Sequence, residues 1–186
     1  MTERDGNKEA LLEHLFRVLQ MVNDWLRFAE AKNGAVLAIC GSTLGVLIGL
    51  MASVSFPSNA LLGYVAACAL LLAGSLAAAL VSFIPITRLP TLYRRARATP
   101  PNTLFFADLA GVSASELLQE TCLALGIDAT ETLPVHEHAA AQIVANSRIT
   151  LWKFELASVA THLAAAAVVP PLLLLLLISK RRRSHP

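Results

Sequence analysis

The fold is decided by residues 33–87, NGAVLAICGSTLGVLIGLMASVSFPSNALLGYVAACALLLAGSLAAALVSFIPIT, which contain no Asp, Glu, Lys, Arg or His. A helix needs about 20 apolar residues to cross the hydrocarbon core of a bilayer, so this stretch predicts two spans, at 34–56 and 60–84. The run Phe56-Pro57-Ser58-Asn59 separates them and favours a turn. The sequence therefore predicts a tight antiparallel hairpin. The alternative, a soluble core helix that is apolar on every face, is rarely followed directly by a second one.

A third uncharged run, residues 156–179, is broken only by His162. With 55% apolar residues the chain exceeds the usual range of soluble domains, which favours a third span. The remainder divides into an N-terminal arm (1–33), a middle segment (85–155) and a basic tail (180–186). None of these is large enough for a big independent enzyme domain.

The distribution of basic residues predicts the topology. Lys and Arg occur in the arm and in the middle segment but are absent from the hairpin turn, so both segments are expected to be cytoplasmic. The basic tail conflicts with this rule, because a third crossing places it outside. A re-entrant span bent at Pro170 would return it to the cytoplasm, but its two halves would be short for membrane segments, and a crossing is preferred.

The N-terminal arm has the apolar pattern of an amphipathic helix. Its apolar residues recur at spacings of four and three, and three further leucines widen the stripe: Leu11, Leu15, Val18, Val22, Trp25 and Ala29, with Leu12, Leu19 and Leu26. The polar face mixes charges of both signs, which disfavours a helix lying on the lipid surface. We expect the arm to pack against the middle segment or against a second copy.

The middle segment predicts a small helical lobe. Residues 113–116 form the pattern of a capping box, and the helix that follows is expected to end at Gly126. From Pro134 no helix breaker occurs until Pro170, so a long helix should continue into the third span and kink near Ala166. The predicted fold class is an all-α integral membrane protein with an amphipathic helix, a two-span hairpin, a small helical cytoplasmic lobe and a long helix continuing into a third span.

Small residues follow one another at four-residue intervals along the first span, at Gly41, Gly45, Gly49 and Ser53. Small residues at this spacing let two membrane helices approach closely. They predict a helix–helix seam whose partner is either the second span or another subunit. If the partner is another subunit, the protein is a homo-oligomer.

No motif in the sequence indicates catalysis, a cofactor or a metal. His136 and His138 are two positions apart and would point to nearly opposite sides of a helix, so a solvated pair is expected rather than the i, i+4 spacing of zinc ligands. His162 could titrate or bond to a helix carbonyl. Stacked aromatics in a basic groove, which bind single-stranded nucleic acid, are also missing, so no nucleic acid polymer is expected as a partner.

Two groups of polar residues are candidates for ligand binding. The cluster Arg94, Arg95 and Arg97 is either an interfacial anchor for anionic lipid head groups or a phosphate site. On the long helix, amides and a cation occur at helical spacing in Gln142, Asn146 and Arg148. These six side chains together could bind a phosphorylated small molecule. The alternative is that those on the helix cap neighbouring loops or face water.

Three stretches resemble the small transmembrane effectors of Pycsar-type bacterial anti-phage defence. They are FAEAKNGA (28–35), NTLFFADLA (102–110) and QIVANSRI (142–149), the last followed by Lys153-Phe154. The resemblance covers residues 10–178. It implies that a partner cyclase makes a cyclic nucleotide during phage infection, and that the effector then impairs the bacterial inner membrane and causes abortive infection. The chain has no room for a separate cyclic-nucleotide-binding domain, so either the middle lobe or another protein senses the messenger.

The leading hypothesis is therefore a non-enzymatic three-span effector that assembles through the glycine seam and is held inactive by its cytoplasmic helices. A non-toxic membrane scaffold that docks partners through those helices is the alternative. A transporter is disfavoured, because no span contains an acidic residue to couple ions.

Overall fold

The computed structural model describes residues 3–53, 58–85 and 102–183, with side chains except at positions 3, 4, 131 and 174–183. Some of the predicted features lie outside these ranges, namely the turn residues Phe56 and Pro57 and the candidate ligand residues Arg94, Arg95 and Arg97.

The described chain is built from five α-helices and one 3₁₀ turn. The helices are α1 (Glu3–Ser53), α2 (Asn59–Val81), α3 (Phe106–Leu109), α4 (Ala114–Leu125) and α5 (Pro134–Arg183), with the 3₁₀ turn at Ala129–Glu131. No strand occurs within the described ranges. Three of the described helices, α1, α2 and α5, are long and apolar enough to cross a membrane by length and composition. The predicted class of an all-α integral membrane protein with three candidate spans is confirmed, and the cytoplasmic side of the middle lobe stays a prediction.

The two longest helices each combine a polar and an apolar part. The N-terminal arm and the first span, which the sequence pattern divides into two segments, form one helix of 51 residues, α1. Helix α5 is 50 residues long and is helical on both sides of Pro170 and Pro171, so the predicted continuity from Pro134 is confirmed.

The chain divides into two compact units. The first, called the head unit, comprises the described parts of Met1–Ala29 and Pro85–Phe154, and the second, called the span unit, comprises those of Glu30–Ile84 and Glu155–Pro186. Helices α1 and α5 contribute residues to both units, whereas α2 belongs to the span unit and α3 and α4 belong to the head unit.

The head unit has a core to which the amphipathic arm contributes one face. Leu11, Leu15, Val18 and Val22 are buried there against apolar residues of α3, α4 and α5, including Ile143. The expectation that the arm packs against the middle segment is confirmed. The physical reason is that a helix with one apolar stripe must cover it with another apolar surface.

Trp25 is the exception on this stripe. Its side chain stays 39% exposed and joins a cluster of rings instead of entering the core. Its ring centroid lies 5.6 Å from that of Phe106 and 6.2 Å from that of Phe154, while Phe106 stacks on Phe154 at 5.1 Å. Pairs at such separations contribute about 1 kcal/mol each beyond burial, so the cluster joins α1, α3 and α5 within the head unit.

Helix α4 is bounded by the signals read in the sequence. Ser113 Oγ accepts a hydrogen bond from the Glu116 backbone N–H, and the Glu116 carboxylate accepts one from the Ser113 N–H. Gly126 ends the helix with φ +68°, a left-handed conformation that disfavours any residue with a Cβ. The predicted capping box and glycine terminus are both confirmed.

Replacing Gly126 by alanine should destabilise the head unit by about 1 kcal/mol, because alanine is strained in the left-handed conformation. Urea unfolding of the detergent-solubilised protein, followed by circular dichroism, measures the change. Gly6→Ala is the matched control: Gly6 lies inside α1 with no neighbour within 4 Å of an added Cβ, so alanine there should be neutral or mildly stabilising. Equal unfolding midpoints for Gly126→Ala and the wild type would contradict this account.

Candidate functional site

One serine joins the three long helices inside the span unit. Ser75 of α2 donates its hydroxyl proton to the Ala160 carbonyl of α5 at 2.7 Å. The Cys40 sulfur of α1 lies 3.3 Å from the Ser75 hydroxyl oxygen. A hydroxyl has only one proton to donate, so the Cys40 thiol must donate to Ser75. All three residues are fully buried.

A second polar contact lies at the end of α2. The Asn33 amide of α1 donates to the Ser82 hydroxyl at 2.6 Å, and both residues are buried. Polar groups in hydrocarbon must find partners within the protein, because no water is present to replace them. Two polar contacts therefore join α1 to α2 and the residue that follows it, namely Asn33–Ser82 and Cys40–Ser75.

The small residues of the predicted seam separate into two groups. An added Cβ at Gly41 would lie 3.7 Å from Leu76 of α2, whereas Gly45 and Gly49 have no neighbour within 4 Å. Ser53 bonds to the Gly49 carbonyl of its own helix at 2.8 Å. Gly41 thus lies beside α2, while Gly45 and Gly49 face open space in the single chain. Whether a second subunit covers them stays a prediction.

A narrow apolar groove of about 200 Å³ opens between the helices of the span unit, lined among others by Tyr64, Cys68, Ala167 and Pro171.

Pro170 and Pro171 lack N–H groups, so the Ala167 carbonyl loses both its i+3 and i+4 donors. The kink predicted at these prolines stays a prediction.

In the head unit, the candidate side chains of α5 bond to protein groups. Gln142 donates to the Asn146 carbonyl oxygen at 2.8 Å, and the Asn146 amide donates to the Asn23 side chain of α1 at 2.7 Å. Arg148 donates through Nε to the Ala110 carbonyl and through Nη2 to the Val112 carbonyl, both at 3.1 Å. The structure thus brings Gln142 and Asn146 together and turns Arg148 toward the loop between α3 and α4. Their role in ligand binding stays a prediction.

The histidine pair is not solvated as expected. His136 is 1% exposed, and its Nδ1 accepts a hydrogen bond from the Leu133 backbone N–H at 3.0 Å. Nε2 lies 3.1 Å from the Lys8 carbonyl of α1 and must carry the ring proton, since Nδ1 acts as the acceptor. The expectation was wrong for His136, because the ring serves as a cap that joins α5 to α1. His138 is exposed, as expected.

A cleft of about 610 Å³ lies beside α4 and α5 in the head unit. Leu118, Gln119, Cys122, Glu137 and His138 are among the residues that line it. Burial raises the pKa of the Cys122 thiol, and the Asp128 carboxylate raises it further, so the thiol stays protonated and a poor nucleophile at neutral pH. Among the described residues no group of three or more His, Cys, Asp or Glu side chains could hold a metal ion.

The sequence pattern did not point to Ser75 or Cys40, and it gave the wrong expectation for His136. A serine within an apolar span is a recognisable signal, since polar residues in membrane helices tend to face other helices. Its partners could not be named, because Cys40 and Ala160 are 35 and 85 residues away along the chain. His136 carried no signal beyond its position in the first turn of α5.

Comparison with known proteins relates the sequence to Pycsar effectors. The family profile described as PycTM, Pycsar effector protein domain, matches residues 14–180. The Pycsar effector protein PtPycTM of Propioniciclava tarda is 34% identical over 93 residues, which make up 50% of this chain and 44% of the relative. The matched region thus covers less than half of the relative. No solved structure matches the chain.

Replacing Ser75 by alanine should destabilise the span unit by about 1 kcal/mol, because it removes the bond to Ala160 and leaves the Cys40 thiol without its acceptor. The measurement is the mole fraction of sodium dodecyl sulfate at which the protein unfolds in mixed micelles. Ser42→Ala is the control, since the Ser42 hydroxyl donates only to the Ile39 carbonyl of its own helix. A midpoint for Ser75→Ala no lower than that of Ser42→Ala would disprove the three-helix contact.

Proposed function

The chain belongs to the PycTM family of Pycsar effectors, and from this membership we propose that it is a bacterial inner-membrane effector of anti-phage defence. In this proposal a cyclic nucleotide made by a partner cyclase activates the protein, which then impairs membrane integrity and stops phage growth by abortive infection. The protein acts without catalysis. The observation that carries the proposal is that the family match, residues 14–180, covers the apolar parts of all three long helices.

Outward-facing apolar side chains support lipid as the solvent of the span unit. Val46 is 71% exposed, Leu70 is 74% exposed and Ile39 is 61% exposed. Exposed apolar area costs about 25 cal/mol per Å² in water, and soluble monomers rarely expose such large apolar surfaces. In a bilayer the same side chains meet acyl chains at no such cost.

The proposed topology puts the N-terminus in the cytoplasm. Arg17 and Arg27, which are 75% and 80% exposed on α1, lie in the segment that precedes the first apolar run. Basic residues of this kind keep short segments on the cytoplasmic side. The head unit would then lie in the compartment where a cyclase releases its product.

The proposed sensor is the head unit. A messenger can activate the protein only if it binds one arrangement of the helices more tightly than another. Arg148 has a further amino group, Nη1, with no bond to another described residue, and Gln142 lies exposed beside Asn146. We propose that these side chains, together with Arg94, Arg95 and Arg97, bind the phosphate and sugar of the messenger.

Activation is also proposed to require several subunits, because three spans in one chain enclose no wide path. Gly45 and Gly49 of α1 have open space at the position of a Cβ. A helix of a second subunit could therefore approach α1 closely at these glycines. The glycine row is proposed as a contact of the active assembly.

The proposed function predicts that bacteria producing the chain lose membrane potential only when a nucleotide cyclase is active in the same cell. A potential-sensitive dye measures the loss, with a catalytically inactive cyclase as control. Depolarisation with both cyclases would show membrane damage without messenger control. No depolarisation in either case would favour the non-toxic scaffold instead.

Replacing Gly45 by leucine should reduce that depolarisation at least several-fold, because the side chain would fill the open space that a second helix needs. Gly63→Leu is the matched control, since Gly63 of α2 also has no neighbour within 4 Å and lies outside the glycine row. Immunoblots of the membrane fraction must show equal amounts of both variants. Equal depolarisation by Gly45→Leu and Gly63→Leu would count against the seam.

A further inference from the structure

The head-unit part of α1 carries a second apolar stripe beside the buried one. Its positions are Leu12, Phe16, Leu19, Asn23 and Leu26, with alternating spacings of four and three. This is the spacing of the a and d positions of a coiled coil. The stripe is shifted by one residue from the core-facing stripe, and therefore points about 100° away from it around the helix axis.

The second stripe is incompletely covered within the chain. Phe16 is 52% exposed, while the leucines and Asn23 are half-buried. Leu19 reaches the edge of the head-unit core, and the stripe borders a groove along the outside of α1 that is also lined by Gln20 and Arg27. An exposed phenylalanine within a heptad pattern indicates a surface that another helix can cover.

Asn23 makes this surface complementary to itself. Its side-chain oxygen accepts one bond, from Asn146, which leaves a second lone pair, and its NH₂ group has no partner among the described residues. Two copies of Asn23 facing each other across a two-fold axis could exchange bonds from NH₂ to oxygen. A single asparagine at such a position is known to select the register and number of helices in coiled coils.

The charges on α1 are also compatible with a symmetric pair. In a parallel pair each residue faces its own copy, so any charge on the contact line would meet a like charge. No charged residue occupies the stripe between Leu12 and Leu26, and the next positions at its two ends are Glu9 and Glu30. The neighbouring charges pair within the helix, Arg17 with Glu13 and Arg27 with Asp24.

From these observations we propose that Leu12, Phe16, Leu19, Asn23 and Leu26 form a parallel two-fold interface with the same residues of a second copy of this chain. The parallel direction rests on the proposed function, because two copies inserted the same way into one membrane must have parallel α1 helices. The interface itself requires neither a messenger nor membrane damage, and it is distinct from the glycine row.

Disulfide cross-linking in isolated membranes tests the interface. Phe16→Cys and Leu19→Cys should each give a product of twice the 19.8 kDa chain mass on mild oxidation, since residues at a symmetric helix contact face their own copies. Arg17→Cys and Asp24→Cys are the controls, because these side chains are more exposed but occupy helix positions outside the stripe. The wild type sets the background, as Cys40, Cys68 and Cys122 are all buried.

The pattern of yields decides the outcome. Yields at positions 16 and 19 at least fivefold above those at 17 and 24 would support the interface. Yields that follow exposure, highest at position 17, would indicate random collision and overturn it. Absence of the product at both stripe positions would also overturn it.

A charge substitution separates this interface from the proposed function. Adding Phe16→Glu to the Leu19→Cys variant should abolish the cross-link, because two facing carboxylates repel each other, and Phe16 is exposed enough for folding to survive the change. Adding Arg17→Glu should leave the cross-link unchanged. Cross-linking that persists with Phe16→Glu would refute the interface. The proposed function is tested separately, by the cyclase-dependent loss of membrane potential.

Discussion

Polar groups in the span unit must find their partners inside the protein, and Ser75 shows how this chain meets that constraint. One hydroxyl both donates to α5 and accepts from α1, so three helices meet at a single oxygen atom. Apolar side chains alone would hold the helices together weakly, because lipid solvates leucine as well as another helix does. The hydrogen bonds supply the specificity. At Gly41 and Gly74 an added Cβ would be in ordinary van der Waals contact, 3.7 Å from Leu76 and 3.5 Å from Leu163.

The head unit follows the opposite rule, since burial of apolar surface drives its folding. Its polar contacts sit at the borders of that core: His136 bonds to α1, Arg148 bonds to the loop before α4, and Asn146 bonds to Asn23. Each connects α5 to another segment of the head unit. A ligand that competed for these bonds would change how α5 is held against α1 or against the loop before α4, and the proposed messenger control requires such differential binding.

Helix α1 offers two chemically different surfaces for the proposed assembly. Its second apolar stripe, in the head unit, contains one amide side chain, Asn23. Its part in the span unit carries Gly45 and Gly49, which have no neighbour within 4 Å of an added Cβ. The first surface is suited to a partner in water and the second to a partner in lipid. An effector built on this helix could therefore remain paired through the head unit while its spans change partners. The stability of this assembly would then depend on the concentration of the protein in the membrane.

The sequence by itself determined the helical class, the three apolar helices, the capping box at Ser113, the end of α4 at Gly126 and the core-facing stripe of α1. These features depend on local composition, spacing and backbone conformation, which act within a few residues of each other. The family resemblance, carried by short motifs, likewise follows from the residues alone. Only the tertiary structure decided that His136 is buried, that Arg148 is bonded to carbonyls, and that Ser75 joins three helices. Those outcomes depend on which distant segments meet, and hydrogen-bond partners 35 to 128 residues apart leave no periodic signal in the chain.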